Sequence, residues 1–600
     1  MASRKPKLVE LKEGAPPAPC ADLLEEEALG SEAYAALDRV LSAALAKTTG
    51  GLSPAVLALA LTDWSLHLAA APGKRAELLD KAQRKSVRLA AHMLKALTTR
   101  DSCPCIEPLP GDNRYRAPEW REPPYSIWSQ AFLLTQQWWH NAMREVPGVS
   151  PHHEDIAAFV ARQVLDVFSP SNFPLTNPLV VKRMMETGGA NFWAGYRNWL
   201  EDVSRALASE KPAGVEHFTP GRDVAITPGK VVLRNELIEL IQYAPTTQAV
   251  KAEPILIVPA WIMKYYILDL SPQNSLIRQL VDSGHTVFCM SWRNPTAKDR
   301  DLSLDDYRRK GVLAALDAMA SIMPGAKVHA AGYCLGGTLL SVTAAAMARA
   351  GDDRLASLTL LAAQIDFTQP GELGLFVDES QMHLLDSMMW DKGYLSDAQM
   401  AGAFQLLRSN DLIWSREIGD YLMGERRQMT DLMAWNADTT RMPYRMHSEY
   451  LRHFYLKNDF AAGRLVIDGR PALFQNIRAP MFVVGTERDH VAPWRSVYKT
   501  HDFAEADVTF VLTSGGHNVG IVSDSREARN HYRIALKRHA DFAVGPDEWV
   551  MRAHERSGSW WTEWIVWLDS QSPAVAPPPP MGSKACPPLG DAPGTYVFQR

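Results

Sequence analysis

The chain has 600 residues, of which 46% are hydrophobic, enough for more than one structural unit around a large core. A formal charge of −5 with no block of Lys or Arg excludes nucleic acid as the main partner. Six cysteines spread over this length exclude a disulfide framework and point to a reducing compartment.

In chain order, residues 1 to about 30 are rich in Pro, Ala and Glu and read as a disordered leader with no secretory apolar core. From Ser31 to about Leu97 the pattern is helical, punctuated at Gly50-Gly51 and Pro72-Gly73. Its most apolar stretch, Leu52 to Pro72, carries Pro54, Asp63 and His67, so no transmembrane segment is expected. Pro118 to Asp202 is again mainly helical and rich in Trp. Near Arg222 the period changes: Val224 to Thr227 and Val231 to Arg234 read as the arms of a hairpin. Apolar runs then begin at Ile255, Val287, Val328, Leu358, Met481 and Val508, the pattern of strands buried on both faces of a mainly parallel sheet. More than a hundred residues separate Leu361 from Met481, and helical patterns at Asp397–Ser409 and Leu422–Ala434 mark this stretch as a cap. After Trp567 the chain becomes Pro-rich and reads as an extended tail.

Gly332-Tyr-Cys334-Leu-Gly336-Gly337 lies between a strand and an Ala/Leu-rich helix, a nucleophile-elbow pattern with cysteine at its centre. The turn needs glycines on either side, and the Leu335 amide at the helix start would face the oxygen of an acyl group on sulfur. A base and its orienting acid are expected on loops after late strands. Asp489 follows the Met481 strand and His517 follows the Val508 strand through paired glycines, so His517 is assigned as base and Asp489 as its partner. Glu487 and His490 flank Asp489 and are its alternatives; His490 otherwise lines the cleft. Exchange between a thiolate and a thioester is nearly balanced, which favours acyl transfer over hydrolysis. Cys103-Pro-Cys105 lacks the further ligands a metal needs, so no metal site is expected, and Cys289 inside an apolar run reads as core. The tryptophans at 138, 549, 560, 561, 564 and 567 read as packing or interface.

Several segments resemble the class I polyhydroxyalkanoate synthases: Ser169-Pro-Ser-Asn-Phe, Leu175-Thr-Asn-Pro, Thr227 to Tyr243, Trp261 to Leu270, Ser291-Trp-Arg-Asn-Pro, Leu407 to Trp414, Trp435-Asn-Ala-Asp-Thr-Thr, Gly558-Ser-Trp-Trp and Ala592-Pro-Gly-Thr-Tyr-Val. The likeness runs from about Asn113 to Gly594. It implies that Cys334, Asp489 and His517 carry the chemistry, with Leu335, Ile262, Asp269 and His490 as oxyanion or substrate-binding candidates. Asp269 is left between a loop-stabilising and a substrate-facing role. It further implies an (R)-3-hydroxyacyl-CoA substrate, release of coenzyme A, a growing polyester chain, a homodimer, and residence on cytoplasmic polymer granules. Tyr333 before the cysteine is similar to the short-chain class. No cofactor is expected beyond the coenzyme A of the substrate.

The sequence therefore reads as an α/β-hydrolase-type sheet with an inserted helical cap, preceded by a mainly helical domain. The boundaries are a leader 1–30, a helical domain 31–221, a catalytic domain 222–570 with its cap at about 366–470, and a tail 571–600. The expected reaction is polymerisation of 3-hydroxyacyl groups. Its rivals are a thioesterase or polyester hydrolase using the same triad and a non-catalytic granule-coating protein.

Overall fold

The computed structural model describes residues 34–46, 49, 51–98, 103–109, 111–396, 399–400, 402, 413–522 and 530–600. The expected leader and most of the expected helix Asp397–Ser409 lie outside these. At the centre is an eleven-stranded sheet. Its strands are β1 (Gly229–Arg234), β2 (Ile238–Tyr243), β3 (Ile255–Val258), β4 (Val287–Trp292), β5 (Val328–Tyr333), β6 (Leu355–Leu361), β7 (Met481–Thr486), β8 (Val508–Thr513), β9 (His531–Lys537), β10 (His554–Ser557) and β11 (Gly590–Asp591). The spatial order is β10-β9-β8-β7-β6-β5-β3-β4-β2-β1-β11. Strands β4 to β8 through β3, β5, β6 and β7 pair in parallel, and the outer pairs are antiparallel.

The uninterrupted apolar runs follow from having a core on each face. Within β3, Leu256 and Val258 enter one core while Ile255 and Ile257 enter the other, and all four are fully buried. Cys289 on β4 belongs to the second of these cores.

The hairpin differs from the expected one. Val224 to Thr227 forms no strand: Ala225 has φ +54° and its N–H donates to Asp269 O. β1 pairs instead with β2, because the Asn235 side chain accepts the N–H groups of Leu237 and Ile238 and closes the turn between them.

The N-terminal region packs α1 (Pro54–Ala70), α2 (Pro72–Thr98), α3 (Tyr125–Met143), α4 (Pro151–Val167), α5 (Pro178–Thr187) and α6 (Ala190–Leu207). Indole N–H groups tie it together, Trp64 donating to Ala142 O and Trp138 to Leu78 O. No single described helix is long and apolar enough to cross a membrane; α1 and α2 pass such a test only together, and they are bent by 91°.

After β5 comes α7 (Leu335–Ala350). The insertion between β6 and β7 carries α8 (Glu379–Lys392), α9 (Asp431–Asn436) and α10 (Tyr444–Tyr450). The expected helix Leu422–Ala434 is shorter and starts later: Gly424 turns the chain at φ +70° against Asn191 O, and the Thr430 hydroxyl caps α9. After α11 (Trp561–Gln571) the chain returns along the sheet edge as β11. There the buried Glu239 carboxylate accepts the N–H groups of Thr595 and Tyr596, and Lys264 donates to Gln599 O.

Candidate active site

Cys334 sits at the sharp turn between β5 and α7 with φ +52° and ψ −123°, a conformation held only where the surroundings over-determine it. The surroundings are backbone at close quarters. A Cβ on Gly332 would meet Gly337 Cα at 2.4 Å, and one on Gly336 would meet Val258 O at 2.1 Å. Cys334 N donates to Leu361 O, which fixes the turn to β6. Leu335 opens α7, so its N–H belongs to the first turn, where no intrahelical acceptor exists.

His517 and Asp489 come from the ends of β8 and β7, neighbours in the sheet. The His517 Nδ1–H donates to Asp489 Oδ2 at 2.7 Å, and the ring is within hydrogen-bonding reach of the Cys334 side chain. The other oxygen of Asp489 accepts from the N–H groups of Val491 and Ala492, and Oδ2 also receives the Thr486 hydroxyl. Burial alone would raise the Asp489 pKa, yet the His517 imidazolium and these donors hold it below its usual range. Burial alone would lower the His517 pKa, but Asp489 and the Cys334 sulfur opposite outweigh it and keep it well above 6.5.

Of the residues flanking Asp489, Glu487 faces His531 at 3.2 Å, and the His490 carbonyl accepts the Glu372 N–H. The next two residues, Val491 and Ala492, line the cavity over Cys334. Ile262 lines it beside Leu335, and its carbonyl takes the N–H of Thr440 from the cap. Asp269 lies elsewhere: it is fully buried, bound by the hydroxyls of Thr227 and Ser275, and absent from the cavity wall. Those bonds join the junction before β1 to the segment after β3, so the structure gives it a loop-holding place rather than a substrate-facing one.

Three features escaped the sequence. Asn518, next to the histidine, accepts the Tyr333 hydroxyl at 2.5 Å and donates to Asn436 of the cap, joining elbow, histidine loop and roof. The tryptophans of α11 and its approach hold the same loop: Trp560 Nε1 donates to Gly520 O and Trp561 Nε1 to Ile521 O. Such indoles read in sequence as packing or interface, since nothing local reveals a partner forty residues away. Third, the cavity of about 380 Å³ is roofed by the cap and by the N-terminal segment, through Gly51 and Leu52. Gln381 of α8 accepts the Ser53 N–H and donates to Gly51 O, latching that segment over the site. The walls include Leu385, Met388, Leu395, Met442 and Leu451, with Tyr450 and Tyr455 near the sulfur.

A cysteine held rigidly at such an elbow, with a buried imidazole and carboxylate behind it and a mainly apolar roof above, could support acyl chemistry on a substrate with a carbon chain. Among the described residues, no group of three or more His, Cys, Asp or Glu side chains could hold a metal ion.

Comparison with known proteins bears on the same point. Residues 111–280 match the family model "Poly-beta-hydroxybutyrate polymerase (PhaC) N-terminus", residues 32–74 match "Poly-beta-hydroxybutyrate polymerase N terminal", and residues 253–524 match "alpha/beta hydrolase fold". The poly(3-hydroxyalkanoate) polymerase of Methylorubrum extorquens is 40% identical over 88% of this chain and 87% of its own. The poly(3-hydroxyalkanoate) polymerase subunit PhaC of Rhizobium meliloti is 36% identical over 82% and 80%, and that of Cupriavidus necator 35% identical over 81% and 83%.

Proposed function

Because the chain belongs to the poly(3-hydroxyalkanoate) polymerases, which are acyltransferases, we propose that it moves (R)-3-hydroxyacyl groups from coenzyme A onto Cys334 and joins them into polyester. The observation that carries this reading is the line from Cys334 through His517 to Asp489 at the strained elbow.

The Cys334 sulfur gives its proton to His517 and attacks the thioester carbonyl. The developing oxyanion lies at the Leu335 N–H, with the Ile262 backbone as the second donor. The C–S bond to coenzyme A breaks, and His517 returns the proton to the departing thiolate. His517 then takes the proton from the 3-hydroxyl of a second hydroxyacyl unit, whose oxygen attacks the acyl group on Cys334. An oxygen ester forms and the cysteine is restored. Asp489 holds the ring in the tautomer that makes both transfers and stabilises the imidazolium between them. The roof keeps water from the acyl-cysteine, so the alcohol is the acceptor. Each step uses only these side chains and the substrate. The working form is a homodimer bound to the surface of its polymer granule in the cytoplasm.

Cys334→Ala is expected to abolish release of coenzyme A from 3-hydroxybutyryl-CoA while leaving circular dichroism and melting unchanged; undiminished release would overturn the assignment. Product analysis separates synthase from hydrolase. An insoluble polyester supports the proposal, and free 3-hydroxy acid in step with coenzyme A would make the chain a thioesterase.

A further inference from the structure

The polar side chains in the cavity wall are nearly all spent on the protein itself. Thr338 Oγ1 donates to Gln364 O, Gln364 Nε2 donates to Ser496 Oγ, and Gln381 is taken by the N-terminal segment. Tyr450 and Tyr455 bond to one another. His447 on α10 is different. It lines the same cavity, is 4% exposed, and its Nδ1 is buried with no partner among the described residues. A buried polar atom left unpaired costs free energy, so this ring, unlike the other polar side chains named here, is not spent on the protein itself. The ring of Tyr450, one turn on, lies 6.5 Å from that of His447, and Tyr450 is itself close to the Cys334 sulfur.

Burial lowers the His447 pKa to about 4, so the imidazole is neutral under working conditions. A neutral imidazole both donates and accepts, and so does an alcohol. The Asp489–His517 pair already handles the reacting carbonyl and its proton. What distinguishes a 3-hydroxyacyl chain from an ordinary acyl chain in this apolar chamber is the oxygen on its third carbon.

We propose that His447 is the specificity-determining residue for that oxygen: it hydrogen-bonds the 3-hydroxyl of the acyl unit bound at Cys334 and so selects hydroxyacyl over unsubstituted acyl groups. This rests on the acyl-cysteine reading above, and the test keeps the two apart.

Single-turnover acylation of the full chain is measured with 3-hydroxybutyryl-CoA and with butyryl-CoA, following coenzyme A release and the mass of the Cys334 peptide. The wild-type protein is expected to favour the hydroxylated substrate by about tenfold to a hundredfold. His447→Phe is expected to reduce that ratio to about threefold or less, acylation by 3-hydroxybutyryl-CoA falling further than acylation by butyryl-CoA. His447→Gln, whose amide also donates and accepts, is expected to keep most of the preference. The proposal is overturned if wild type shows no preference, if H447F retains it, if H447Q loses it as fully as H447F, or if H447F loses both substrates alike. Failure of the wild-type protein to acylate Cys334 with either substrate sinks the underlying reading, and this inference with it.

Discussion

In the floor of the cavity backbone meets backbone: Gly336 approaches Val258 O so closely that a single added carbon would lie 2.1 Å away, and Cys334, Asp489 and His517 each follow the end of a buried strand. In the roof the contacts are made by side chains. Gln381 latches the N-terminal segment, Gln399 donates to Met388 Sδ, and Leu and Met fill the rest. The difference has a physical consequence. Backbone contacts leave no soft coordinate, so the floor holds Cys334, Asp489 and His517 in one geometry and tolerates almost no change, whereas long flexible side chains can repack around contents of different shape.

The largest effects are therefore expected in the floor. Asp489→Asn removes the carboxylate that holds the His517 tautomer, and kcat/KM is expected to fall about a thousandfold or more. It also removes the main group that raises the His517 pKa, and a base of lower pKa stays unprotonated to lower pH, so the acidic limb of the pH profile should move to lower pH. Stability should respond with a definite sign. Asp489 sits below its ordinary 3.8, so its share is present above that pH and lost as pH falls through the lowered value. His517 sits above its ordinary 6.5, so its share is complete below 6.5 and lost as pH rises through the raised value. Urea titrations of wild type and variant across pH 3 to 9 would check both (the range is about that of accessible buffers). An unmoved acidic limb would detach Asp489 from His517.

Gly336→Ala comes next. It is expected to cost about 1–3 kcal/mol and about a hundredfold in turnover, because the elbow must shift to seat the methyl group. Near-normal turnover would show the floor to be softer than its packing indicates.

Gln381→Ala tests the roof. Leaving Ser53 N–H and Gly51 O unpaired is expected to cost about 1–3 kcal/mol locally. Hydrogen exchange at Ser53 should rise, while kcat changes only a few-fold. A collapse of turnover as deep as that of Asp489→Asn would erase the contrast between roof and floor.

The smallest effect on chemistry belongs to Asp269→Asn. Its carboxyl, raised in pKa by burial and served by Thr227 and Ser275, is expected to contribute about 1–2 kcal/mol to stability and nothing measurable to kcat/KM. A selective loss of turnover with unchanged melting would return it to the site.

Much of the floor was legible because its determinants are local. Gly332, Gly336 and Gly337 around Cys334 describe a turn that only glycine can flank, and paired glycines before His517 describe a loop aimed at the strand ends. The hairpin was misplaced because Val224 to Thr227 has strand-forming residues, while the deciding signal was a single side chain, Asn235, closing the turn that follows β1. The roof was hardly legible at all. His447 lies in a short helix of mixed character, and nothing in Met446-His447-Ser448 announces a cavity. Trp560 and Trp561 were visible as residues to be buried but not as the clamps of a loop forty positions earlier.

By itself the sequence determined the strand periodicity, the elbow at Cys334 and the placing of Asp489 and His517 after late strands, because steric exclusion and hydrophobic alternation act over a few residues. Only the tertiary structure decided which carboxylate faces His517, that Asp269 lies away from the cavity, and that residues as far apart as Gly51 and His447 share one chamber. Those outcomes depend on where distant segments pack, and packing is set by the whole core rather than by any window of the chain.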